Sequence, residues 1–139
     1  RSEELQIALR AEVGDDPRIR LLLDYVADAE VAELFGAADA AVVARDDGGT
    51  SGSLVLPLSL GVPVIAADCP AYRSLTGGES SGWLFRPGDE SSLCEVLEQA
   101  AANTDEARRR GSAALERARR LRWSDAAAQT ARLLREAGA

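Results

Sequence analysis

Apolar positions along this chain alternate between two rhythms. Leu5, Ile7, Ala8, Ala11 and Val13 recur at helical spacing behind Ser2, a plausible N-cap, so 3–13 reads as a helix. "GDDP" ends it, and "RIRLLL" reads as a strand over 18–23. "DYVAD" is a turn, and Asp28 caps a short helix with Val31, Leu34 and Phe35 facing inward. "DAAVVA" is a buried strand over 39–44. "SGSLVLPLSLG" reads as a helix that Gly61 ends, with Pro57 either kinking it or lying near its first turn. "VPVIAA" over 62–67 is apolar throughout, as in parallel strands covered on both faces.

"CPAYRSL" makes one or two helical turns, and "GWLF" over 82–85 is a last short strand. Asp89 caps "ESSLCEVLEQAAA", and Asn103 with Glu106 forms a capping box for the helix that follows. Ser124 caps the closing helix, "AAAQTARLLREA". Apolar strands alternating with helices predict an α/β fold: a Rossmann-like parallel sheet in three layers, α/β/α, forming one domain over 1–139.

Composition narrows the function. A net charge of −7 on 139 residues argues against nucleic acid as a partner, because phosphate binding needs a basic surface. With no histidine, Ser-His or Cys-His catalysis is excluded within these residues, and a metal site is not expected. Cys69 and Cys94 lack metal-ligand spacing and are expected to be reduced, mostly buried thiols. No apolar run approaches the roughly 18 residues that span a bilayer, and no basic-then-apolar leader opens the chain. A cytoplasmic protein is expected, with a peripheral place at the membrane left open. The basic run Arg108–Arg122 is either a solvated helix face or a surface for acidic lipid or a partner domain. Trp83 and Trp123 are expected in the core rather than as stacking platforms.

The stretch "RDDGGTSGS" lies between a strand and a helix. In open α/β sheets ligands bind beyond the carboxyl ends of the strands. Its glycines admit close backbone approach, its hydroxyls donate hydrogen bonds, and the helix start favours an anion such as a diphosphate. The alternative is a plain loop in which Thr or Ser caps the helix. No Gly-Lys-Ser/Thr ending makes it a P-loop.

These segments, in this order, resemble the C-terminal, donor-binding domain of family 4-type (group 1) glycosyltransferases of the GT-B fold. "DAEVAELFGAADAAVVA" is similar to the helix and strand ahead of that family's donor loop. "LSLGVPVIAAD", "GWLFRPGDESSL" and "RWSDAAAQTARLL" are similar to its later landmarks. The resemblance implies a nucleotide-sugar donor of UDP or GDP type as substrate, with no other cofactor. It places Asp24, Tyr25 and Val26 at the nucleotide base, the Gly49, Thr50, Ser51, Gly52 and Ser53 backbone at the diphosphate, and Arg86–Asp89 at the rim. It does not identify a catalytic residue. The family's two loop glutamates would fall near Gly48 and Leu56, neither of them acidic. The alternative is therefore a non-catalytic nucleotide-binding or interaction module. The resemblance also implies an N-terminal acceptor-binding domain as partner and two central strands that these residues do not supply. Strand 18–23 would then stand at the far edge of the sheet unless it moved over to pair with 39–44.

Overall fold

The computed structural model describes residues 3–45 and 52–138. Its elements run α1 (Glu3–Val13), α2 (Asp28–Gly36), β1 (Ala41–Val43), α3 (Gly52–Ser59), β2 (Val64–Ala67), α4 (Pro70–Thr76), β3 (Gly82–Phe85), α5 (Glu90–Ala102), α6 (Thr104–Ala118) and α7 (Trp123–Ala137). By contacts the chain falls into two units, Arg1–Ala32 and Glu33–Ala139.

In the first unit α1 buries none of its residues. Residues 18–23 form no strand, contrary to expectation, and join no sheet. A strand exists only where a neighbour accepts and donates its backbone bonds. Ile19 and Leu22 remain about half exposed. Re-pairing of 18–23 with 39–44 therefore does not occur here.

The second unit is built on a parallel sheet of order β1-β2-β3. Ala41 faces Val64 and Val43 faces Ala66, while Val64 faces Gly82 and Ala67 faces Phe85. Every residue of β2 and of β3 is buried. Successive side chains point to opposite faces, so helices cover both faces and the unit has three layers. The core joins Val43, Leu54, Leu58, Ile65, Tyr72, Trp83, Phe85 and Val96. Among the described residues β1 pairs only with β2, and Val42 at that edge is 50% exposed.

Local signals place the helices. Gly61, at φ +75°, turns the chain out of α3 into β2. Pro57 lies in the second turn of α3 and is buried, so it packs into the core where it also lacks an N–H for the helix. Asp89 accepts the Ser92 N–H at 2.9 Å, and Asn103 accepts the Glu106 N–H at 2.9 Å, as their capping positions predict. Ser124 is not the cap of the last helix. The helix begins one residue earlier, at Trp123, behind an extended Arg122. Free Cys69 is half-buried, whereas Cys94 is exposed on α5 and not in the core as expected.

The basic run is largely occupied within the fold. Arg110 stacks 4.5 Å above the Trp83 ring and donates to the carbonyls of Glu79 and Gly82. Arg117 donates to the carbonyls of Ser74 and Leu75, closing the end of α4. Arg109 and Arg110 both bond Glu106, Arg108 pairs with Asp105, Arg119 with Glu116, and Arg122 with Asp125.

Hydrogen bonds from Arg109 and then Arg110 hold the Glu106 carboxyl down to about 2, from an ordinary 4.5. A lowered folded-state pKa stabilises above the unfolded value, and that contribution fades as pH falls through the folded one. The stability difference between wild type and Glu106→Gln should therefore be full at neutral pH and shrink between about 4.5 and about 2. Thermal melts of both proteins across that range check it. A difference that stays constant with pH contradicts the pairing.

Candidate functional site

The carboxyl ends of three parallel strands open on one edge of the sheet, where such folds hold ligands. Three connections emerge there. After Val43 the chain passes through Ala44 and Arg45 toward α3, which begins at Gly52. After Ala67 come Asp68 and Cys69, and then α4. After Phe85 come Arg86 to Asp89, and then α5.

Of the residues expected at the diphosphate, Gly52 and Ser53 form the opening of α3 and are exposed. Gly49, Thr50 and Ser51 lie outside the described residues, as do Asp46 and Asp47. A Cβ built on Gly52 would meet nothing within 4 Å among the described residues. Tyr25 and Val26 belong to the first unit, in the segment before α2. Tyr25 is 84% exposed and its hydroxyl donates to Asp28 at 3.1 Å, while Val26 is half-buried.

The edge carries charges that the sequence did not single out as a set. Arg73, on the first turn of α4, makes a two-pronged bond with Asp68, with Nε to Oδ1 at 2.9 Å. This bond raises the Arg73 pKa. Arg86 Nε meets Asp89 Oδ2 at 2.8 Å. The Asp89 carboxyl is lowered, chiefly by the Ser92 N–H and further by Arg86. Arg73 and Arg86 are thus matched to carboxylates before any ligand arrives. A sequence signal existed in the Asp-x4-Arg spacing across "DCPAYR", where a proline-started turn brings the two side chains together. Leu56, where the resemblance expects a carboxylate, is 41% exposed. No group of His, Cys, Asp or Glu among the described residues is arranged to hold a metal ion, and none of their helices is long and apolar enough to cross a membrane.

Comparison with known proteins adds what the geometry alone does not. The family model described as Glycosyl transferases group 1 matches residues 1–103. The chain belongs to the group 1 glycosyl transferases. A phosphatidyl-myo-inositol mannosyltransferase of Mycobacterium leprae (strain TN) is 32% identical over 127 residues, covering 90% of this chain and 34% of that protein. The solved sucrose-phosphate synthase of Thermosynechococcus elongatus superposes with a TM-score of 0.80 at 23% identity, covering 96% of this chain and 33% of the other. That superposition bears out the Rossmann-like α/β fold, in its GT-B setting. The chain spans about a third of the length of the relatives it matches.

Proposed function

We propose that this group 1 glycosyl transferase domain is the donor-binding part of an enzyme that moves a sugar from a nucleotide-sugar to an acceptor. The observation that carries the reading is the start of α3 at Gly52, the next element after β1 of a parallel sheet. Free N–H groups at a helix start attract an anion, and a glycine there lets the anion come close. In this reading the backbone from Gly49 to Ser53 holds the diphosphate of a UDP- or GDP-sugar, and Tyr25 with Val26 meets the base. The acceptor site belongs to a further domain.

A second reading has one specific observation in its favour. Leu56 presents an apolar, exposed surface where the family resemblance expects the acid that holds the ribose. A domain that binds a nucleotide without catalysing transfer would tolerate that loss.

Titration of the chain with UDP and with GDP, followed by amide NMR, tests the site. The Gly52 and Ser53 amides should shift saturably. Gly52→Trp should weaken binding at least about tenfold, the loss expected from closing off one strong set of contacts. Thermal melts of Gly52→Trp, which should match wild type, separate a loss of binding from a loss of folding. Ser80→Ala is the control, since Ser80 bonds only the carbonyls of Thr76 and Gly77. Shifts that saturate elsewhere, with Gly52 unmoved, refute the assignment.

A further inference from the structure

Trp123 departs from expectation more than any other side chain. It opens α7 with 90% of its surface exposed, while Trp83 is buried as expected. Beside it lies a cleft of about 390 Å³ between α3, α4 and α7, within the range of small-molecule sites. Val55 of α3, Leu75 of α4 and Leu121 form its apolar wall. Arg120 and Gln129 reach its rim, and neither side chain makes a hydrogen bond or ion pair among the described residues. Arg122 and Asp125, also lining it, hold each other at 3.2 Å.

An exposed indole beside unspent hydrogen-bond donors and an amide suits one class of ligand. One face of a pyranose ring presents C–H groups with partial positive charge, which lie flat on the negative face of an indole. Its hydroxyls need donors and acceptors at the edge of that contact. Gln129 supplies both and Arg120 supplies donors. A purely apolar partner would leave these two groups desolvated and unpaired, at a cost. A nucleic acid or a phosphate-rich surface would be drawn to clustered positive charge, and of the two arginines lining the cleft Arg122 is paired with Asp125. The family to which the chain belongs handles sugars.

We propose that the Trp123 cleft binds a saccharide, at a site separate from the donor loop. It does not depend on the donor reading. Val55 lies on α3 only about 4.5 Å along the axis from Gly52 by the helical rise, so a glycan seated here would lie beside the same helix that starts at the donor loop.

The test uses the two indole N–H signals of the chain, one from buried Trp83 and one from Trp123. Maltotriose and an α-linked mannotriose are added to millimolar concentration. The Trp123 signal should move saturably with at least one of them while Trp83 stays still. Trp123→Ala should abolish the accompanying shifts at Val55, Leu75 and Leu121 and leave the melting temperature unchanged, because so exposed a ring stabilises little. Gln129→Ala should weaken binding about 3–10-fold, as loss of one hydrogen bond does. The proposal is overturned if Trp123 does not respond to either sugar, if the neighbouring shifts survive Trp123→Ala, or if the Trp123 signal moves only on dilution, which would make the cleft a contact between copies. Adding UDP to the same sample reads Gly52 and Ser53 separately, so the two sites can fail independently.

Discussion

Replacing Gly82 with alanine should destabilise the second unit more than any other single added methyl group in this protein. Gly82 opens β3 opposite Val64 of β2. A Cβ there would run into the Val64 carbonyl oxygen and lie 2.9 Å from both the Val64 carbonyl carbon and its nitrogen. These are backbone atoms of a fully buried strand, so no side-chain rotation relieves the clash. The β2–β3 pair must separate or slip, and both strands are buried on both faces. A cost of about 3 kcal/mol is expected, the upper end for mutations that overpack a core. Set against total stabilities of about 5–15 kcal/mol, that is a large fraction. Gly111→Ala belongs to the same class, since its Cβ would strike the Gly61 carbonyl and come within 3.4 Å of Pro63 Cδ. Gly36→Ala is the contrast, because a Cβ there meets nothing within 4 Å and alanine favours helix. Thermal melts should place Gly82→Ala about 10–20 °C below wild type and Gly36→Ala at or slightly above it. A Gly82→Ala protein that melts with wild type would contradict the β2–β3 register.

The parts of this fold that were legible in the sequence are those whose signals are local. Val64–Ala67 and Gly82–Phe85 are continuous apolar runs between turn residues, and both are buried strands. Asp89 and Asn103 bond the N–H three residues on, a contact contained within one turn. The features that were missed depend on distant partners. "RIRLLL" has the composition of a strand, but its pairing requires a neighbour, and no stretch of six residues specifies that neighbour. The arginines of 108–122 read as one charged face, yet Arg117 spends its donors on carbonyls of α4, and Arg110 on those of Glu79 and Gly82, far away in sequence. Trp123 reads as core by its size and hydrophobicity, and only the packing of α7, which buries none of its residues, shows it exposed. At the candidate site the helix start at Gly52 followed from glycine and hydroxyl residues after an apolar strand. The Asp68–Arg73 pair was legible only in part, because spacing shows that two side chains can meet and not that they do.

These 139 residues alone should turn over no nucleotide-sugar, even where they bind one. Sugar transfer from a nucleotide places growing negative charge on the leaving diphosphate, and stabilising such charge is usually what lowers the barrier most. Arg73 and Arg86 at the carboxyl edge are poorly placed to do so. Arg73 is bonded to Asp68 and Arg86 to Asp89, so each brings an anion with its cation. The helix start at Gly52 contributes about half a unit charge by itself, enough to attract a phosphate but little to offset a full leaving group. The chain also spans only about a third of the relatives it matches. Incubation with UDP- and GDP-hexoses and simple acceptor sugars should therefore release no nucleotide above a heat-killed control, while the Gly52 amide still reports binding. Asp68→Asn sharpens the experiment. It frees Arg73 toward the edge, so nucleotide affinity should rise several-fold, the scale of one added charge-assisted hydrogen bond, and turnover should remain absent. Release of nucleotide by the wild-type chain would mean that the chemistry is complete within these residues.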